Sequence, residues 1–334
     1  MTARTYNQAH VARPADGRRR LSIYWTWSYP WEAQRDPALM ADRFSTITEV
    51  RSVLWPAYEG ADYQSDRFLQ GIAGTLELFH ISTLSFQRLA EEATGHPVAI
   101  FQRVDQAGFR QPIDEAVLAD CDTLLVFGLD HLPSAQEAEP GEAEALQRWL
   151  QREGTCLLLA PHHDVGFSGD DAQKQQEYLH HGDPLVPRTQ RFTAFTRDLM
   201  RALDVPVRNL WGLRPALKDG EIAPLTKFPE HDALGLLEGV PTLNFHPHLP
   251  HYEVTAPERV RVLARQPIEL GRPHPFTAAG NGECNVLLWM PPEGERRGDI
   301  LLVDSTHFTT LFGGTDSLER FWRNLALMPA NTPA

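Results

Sequence analysis

The stretch "TCLLLAPHHDVG", residues 155–166, decides the architecture. From Cys156 to Ala160 it is apolar without a break, and at Pro161 it gives way to two histidines and an aspartate. A short apolar run bounded by Gly154 and a polar turn reads as a strand buried on both faces, the kind a parallel sheet contains. Upstream, "EAEALQRWLQREG" (142–154) has the spacing of an amphipathic helix closed by glycine, and "CDTLLVFGLDHLP" (121–133) is another buried strand followed by a turn.

The rhythm extends towards the N-terminus. "HPVAIFQRV" (96–104) predicts a short buried strand, and residues 62–94, with apolar positions every three or four, predict a helix interrupted near Gly71–Gly74. "LSIYWTWSYPW" (21–31) has the β-branched and aromatic content of a first strand ending at Pro30. Trp25, Trp27 and Trp31 alternate along it as core residues do. Strands alternating with helices imply a parallel sheet covered on both faces. Residues 1–20 read as a loosely held arm, with Arg18, Arg19 and Arg20 as a solvated strand entry.

Beyond residue 165 the pattern loosens. "RFTAFTRDLMRAL" (191–203) predicts a helix, "RVRVLAR" (259–265) and "CNVLLWM" (284–290) alternate as strands do, and "GDILLVDSTHFTTLFGG" (298–314) predicts a strand and turn. "DSLERFWRNLALM" (316–328) predicts a final helix with Asp316 as N-cap and an apolar face at Leu318, Phe321, Trp322 and Leu325.

Composition bounds the partners. A formal net charge of −13 repels phosphate backbones and anionic membrane surfaces, so neither nucleic acid nor membrane is expected. Hydrophobic residues at 42% and charged residues at 22% are ordinary for a folded soluble protein, and the expected partner is a small-molecule substrate at the strand ends. Cys121, Cys156 and Cys284 form no C-x-x-C pair and fit a reducing, cytoplasmic setting. The apolar run after Arg20 is too broken for a signal peptide. Assembly into homo-oligomers is left open.

In a parallel sheet, ligands bind beyond the carboxyl ends of the strands. The polar residues placed there are Ser28, Glu32, Arg103, Asp105, Asp130, His131, His162, His163, Asp164 and Ser305 to His307. His162, His163, Asp164 and His307 are the candidate catalytic residues, since imidazole suits acid–base work at neutral pH. Asp130, His131 and Glu32 are candidates for holding substrate, as are Arg188 and Arg191 if it is anionic. His162 and His163 are adjacent, so one is expected to face the cleft and the other to pack. In "NFHPHLPHY" (244–252), His246 and His248 fall on one side of an extended segment, and with His251 they make a candidate site for a divalent transition metal. His180 and His181 read as lid or surface residues.

The order of "LLVFGLDHL", "ALQRWLQREG" and "LLLAPHHDVG" resembles the class I glutamine amidotransferase-like superfamily. The tail segments 231–254 and 299–328 are similar in layout to its trehalose-utilisation branch. The resemblance spans roughly residues 20–328. It implies a flavodoxin-like parallel sheet with helices on both faces and long insertions in the C-terminal half: one α/β domain over 21–330 with an inserted loop region at about 165–285. Amidotransferases carry a nucleophilic cysteine on the turn after the strand matching "TCLLLAP", where this chain has Pro161-His162-His163-Asp164, and in "FHPH" His248 stands in place of an acid. The resemblance therefore implies a scaffold without the thiol nucleophile. Two functions follow as expectations: a hydrolase, lyase or isomerase using histidine acid–base chemistry with or without a metal, or a non-catalytic binding or scaffold protein.

Overall fold

The structure, a computed structural model, describes residues 12–27, 72–104, 109–182, 188–192, 194–244, 246 and 248–329. The apolar run at 156 forms strand β4, and its place in the chain follows β1 (Leu21–Trp25), helix α1 (Ile72–Thr94), β2 (Ala99–Gln102), α2 (Glu115–Leu118), β3 (Thr123–Gly128) and α3 (Pro140–Leu150). After β4 (Cys156–Pro161) come α4 (Asp171–His181) and α5 (Ala194–Ala202). An antiparallel ribbon is then built from β5 (Val207–Leu213) and a later strand, with the short β6 (Leu217–Lys218), β7 (Glu221–Ile222) and β8 (Thr226–Lys227) between them. The ribbon's partner is β9 (Leu249–Val254), followed by β10 (Arg261–Pro267), α6 (Pro275–Ala278), β11 (Glu283–Met290), β12 (Asp299–Val303) and α7 (Thr315–Ala326).

The main sheet has eight strands in the order β2-β1-β3-β4-β12-β11-β10-β8. From β2 to β12 the pairings are parallel; from β12 to β8 they are antiparallel. The expected parallel sheet is thus a mixed one. The connection from β11 to β12 is shorter than the dozen or so residues that a parallel crossover requires, so the chain returns antiparallel.

Side chains alternate between two cores, as the period-two geometry of a strand demands. Leu125, Phe127, Leu158, Ala160, Leu301 and Val303 face α1 and α7 through Phe86, Leu89, Phe321 and Trp322. Leu124, Val126, Leu157, Leu159, Ile300 and Leu302 face α2, α3 and α5 through Val117, Leu146, Trp149, Phe195 and Leu199. The predicted apolar face of the last helix is buried throughout. Its N-cap, however, is Gly314 in the left-handed region at φ 69°, and Asp316 lies inside the first turn. A side chain at Gly314 would also meet the Leu243 carbonyl oxygen at 2.6 Å.

Residues 165–285, expected as an inserted loop region, supply α4, α5, the β5–β9 ribbon and strands β8 and β10 of the main sheet. The arm is also tied down where it is described. Arg13 donates to Asp120, Ser22 and the Leu21 carbonyl, Arg19 to Thr123 and the Met328 carbonyl, and Arg20 forms a two-point ion pair with Asp122. These guanidiniums are buried because their partners lie at the amino-end edge of the sheet. Glu32, Ser28, Trp31 and Asp105 lie outside the described residues. Among the described residues, no helix is long and apolar enough to cross a membrane.

Candidate metal centre

Strands β3, β4 and β12 are parallel neighbours, so their carboxyl ends share one edge of the sheet. The turn that leaves β4 at this edge is held from above by the β5–β9 ribbon. Tyr252 donates to the Pro161 carbonyl, the Asn209 side chain to the His162 carbonyl, and the Gly212 amide to the Asp164 carbonyl. Asp164 fixes the turn from the other side. Its carboxylate accepts from Arg191 at 2.8 Å and from the Phe192 amide at 3.0 Å, and it pairs with Arg197 at 2.9 Å.

Because the turn is pinned in this way, His162 and His163 point the same way rather than diverging, and their rings meet edge to face at 4.0 Å. The segment entering β9 brings His246 and His248 against them, with ring centroids 3.9 Å apart. Asn244 anchors that segment by donating to the Thr306 carbonyl beyond β12. The C-terminus of α4 adds His181, stacked on His248 at 3.9 Å and 21°. Five histidines from three separate chain segments form one cluster, and none is more than 6% exposed.

Within it, two triads have donor atoms all within 4.8 Å of one another: His162, His246 and His248, and His163, His181 and His248. Imidazole nitrogens suit zinc, copper, nickel or iron rather than magnesium or calcium. Two rings of the first triad are oriented from outside. His162 Nδ1 lies 3.1 Å from Asp304 Oδ1, and His246 Nδ1 lies 3.2 Å from the His248 carbonyl oxygen. A ring nitrogen set against a carboxylate or a backbone carbonyl in this way is how metal-binding histidines are commonly oriented. Burial works against a charge on Asp304, but the neighbouring His162 holds its carboxyl well below the usual range. Burial and the surrounding imidazoles keep His248 neutral, the form that binds metal.

The remaining predicted site residues are distributed differently. His307 is fully buried beside Asp304, outside both triads, and neither of its ring nitrogens has a hydrogen-bond partner among the described residues. Burial pushes it down to about 4. His251 does not close a site with His246 and His248. It lies on β9, where its Nδ1 accepts from the Asn285 amide and its ring meets Phe276 at 4.6 Å, because the strand pleat turns it away from the turn before it. Asp130 is buried, accepting from Thr26 at 2.7 Å and the Phe195 amide at 3.1 Å, and His131 is buried with its ring stacked on Phe192 at 4.5 Å. Both are packed into this edge of the sheet. Arg188 is exposed, and Arg191, paired with Asp164, lines a cleft of 440 Å³ with Phe167, Arg197 and Asn209.

His181 was the residue least expected here. Both it and His180 are buried, His180 being held by the Arg272 carbonyl and the Arg214 amide. The available signal was the histidine pair at the end of a helix capped by Gly182.

No protein-family model matches the chain, and no curated protein matches it. Among solved structures, it is similar to the N-terminal domain of mmIFT52, with a TM-score of 0.42 and 11% identity over 72% of this chain and 86% of that one. It is also similar to the cytoplasmic protein STM3548 from Salmonella typhimurium, with a TM-score of 0.34 and 10% identity over 74% of this chain and 87% of the other. Neither likeness assigns a family or an activity.

Proposed function

We propose that the protein is a metal-dependent enzyme, a hydrolase or lyase acting on a polar small molecule, whose centre is a divalent transition ion held by His162, His246 and His248. The observation that carries this reading is the buried triad itself, whose donor atoms lie within 4.8 Å of one another, with Asp304 set beside His162 Nδ1 and the His248 carbonyl beside His246 Nδ1 as orienting groups. An ion held by these three imidazoles would have a fourth position for water and would make that water acidic enough to act as a nucleophile near neutral pH. Asp304, beside His162 Nδ1, would orient that ring toward such an ion, and the buried surroundings of the cluster would strengthen its electrostatics.

The proposed scaffold is the flavodoxin-like one of the amidotransferase-like superfamily with its thiol chemistry gone. Its support is the order β2-β1-β3-β4-β12 of the parallel strands. Cys156, at the start of β4, is buried at the opposite end from the histidines. The depth of the cluster favours a second reading, a closed, non-catalytic metal site, since structural sites keep no open position.

The test is elemental analysis and cobalt(II) substitution of the purified protein. The expected result is bound transition metal that is lost on chelation and strongly reduced in the His162→Ala and His246→Ala variants, with far-ultraviolet circular dichroism unchanged. Azide should shift the cobalt spectrum if a position is open; an unchanged spectrum selects the closed site. Wild-type protein that binds neither zinc nor cobalt at micromolar concentration refutes both.

A further inference from the structure

The first triad leaves His163 and His181 unused. We propose that these two, together with His248, hold a second divalent transition ion, so that the centre is dinuclear and the His248 ring serves both ions. This rests on the reading of His162, His246 and His248 as the first ligand set.

The spacing of the donors is the first support. His248 Nδ1 lies 3.1 Å from His163 Nδ1. Nitrogens bound to one ion at about 2.0–2.1 Å sit roughly 3.0–3.4 Å apart, so these two already have the separation of neighbouring ligands. His181 completes the set with its donor within 4.8 Å of both, its ring parallel to that of His248. The Nδ1 atom of His248 is thereby assigned to the second ion, and a shared ring would have to offer its Nε2 to the first.

Local structure holds the second triad in place. Helix α4 is capped by Asp170 at its start and by Gly182 in the left-handed region, φ 73°, at its end. Its last turn is tied down by Arg214, which donates to the His181 carbonyl, and by His180, bound to the Arg272 carbonyl and the Arg214 amide. On the opposite side, β5 has a glycine where any side chain would strike the pair. A Cβ at Gly212 would stand 2.6 Å from His163 Cδ2 and 3.0 Å from His248 Cβ. The two rings reach their 4.0 Å separation only beside a glycine.

Chemistry narrows the ion. Among the described residues no carboxylate joins the triad: Asp164 is occupied by Arg191, Arg197 and the Phe192 amide, and Asp304 by His162. An all-imidazole set suits zinc, copper, nickel or iron. A neutral imidazole carries one ring proton, so His248 can serve both ions only as the imidazolate. Binding of the second ion releases that proton to solvent, with no change in oxidation state.

The test is metal counting on the full chain. Protein stripped with a chelator is titrated with zinc, freed of excess by gel filtration and subjected to elemental analysis. The expected result is two ions per wild-type chain and one per chain for His181→Ala and for His163→Ala, each checked for fold by circular dichroism. If His181→Ala does not fold, His181→Gln takes its place. One ion in wild type, retained with unchanged affinity by His181→Ala, overturns the second site while leaving the first. No ion in wild type removes the first reading and this one with it. The copper(II)-loaded protein tests the bridge: two coppers joined by one imidazolate couple magnetically, so the electron paramagnetic resonance intensity falls well below that of two isolated ions. Two bound coppers with full uncoupled intensity overturn the bridging role of His248.

Discussion

Replacing Gly212 by alanine should disturb the proposed centre without replacing any of its ligands. Gly212 sits on β5 at the point where the β5–β9 register shifts, directly beneath the His163–His248 pair. The added methyl would lie 2.6 Å from His163 Cδ2 and 2.9 Å from His163 Cγ, against the 3.4 Å at which ordinary van der Waals contact begins. Because Asp164 and Asn209 pin the turn that carries His163, the relief must come from rotating or displacing the imidazole by most of an ångström. Metal–ligand geometry tolerates about 0.2 Å. Overpacking of this kind costs about 1–3 kcal/mol of stability in the metal-free protein. Misplacing one oriented ligand lowers metal affinity by about 10–100-fold.

The assay is competition with a chromophoric chelator, run beside thermal denaturation with and without zinc. Gly212→Ala should lose affinity chiefly for the ion bound by His163, and the upward shift in Tm produced by zinc should shrink accordingly. Gly169→Ala is the control, since a Cβ there meets nothing within 4 Å. A folded Gly212→Ala protein whose zinc affinities match wild type within twofold would refute the argument that this glycine sets the spacing of the pair.

Two further outcomes concern the rest of the fold. Burial disfavours a charged Asp122, but the hydrogen bonds from Arg20 outweigh it and hold the carboxyl below the usual range. Its contribution to stability is therefore complete above the unfolded-state value near 3.9 and lost as pH falls through the lower folded value; Asp122→Asn should cost about 3 kcal/mol in urea melts at pH 7 and flatten the acid limb of the stability profile, and an unchanged profile would count against the pair. Burial also raises the three free thiols, Cys121 to about 11, Cys284 to about 12 and Cys156 higher still. A disulfide reagent at neutral pH should label none of them until denaturant is added, and one rapidly labelled thiol in the native protein would contradict this packing.

The strands around the first core were legible because their runs are long and apolar: "LLVFG" and "LLLAP" can only be buried on both faces. The antiparallel half of the sheet was not, since "RVRVLAR" and "CNVLLWM" alternate in the same way whichever direction their partners run. Similarly, spacing placed His246 and His248 on one side of the chain, but it could not exclude His251, whose orientation depends on the pleat of β9. Two features ran against local pattern. The α4 sequence "DAQKQQEYLHH" is polar enough to read as solvated, and only Glu177, His180 and His181 are buried on it. Arg13, Arg19 and Arg20 read as surface charges because the groups that bury them, such as Asp120, Asp122 and the Met328 carbonyl, are far away in sequence.

The same reasoning explains why the cluster points to function. Elsewhere in this protein, buried charged groups are matched by fixed partners: Arg103 by Glu142, Arg20 by Asp122, Asp164 by Arg191 and Arg197. Five buried imidazoles packed against one another are a different case, because their neighbours include groups of the same kind, and burial, helped by those neighbouring imidazoles, keeps His248 neutral. A core of apolar side chains in that volume would avoid the desolvation of the ring nitrogens altogether. Sequences depart from local consistency in this way mainly at functional sites. Here the departure is supported from every side: by Asp304 behind His162, by Asn244 beneath the His246 segment, by Arg214 on α4 and by the missing side chain at Gly212. Binding of the proposed ion would convert the cost of burying those nitrogens into coordination energy, and would make the stability of this edge of the sheet depend on metal.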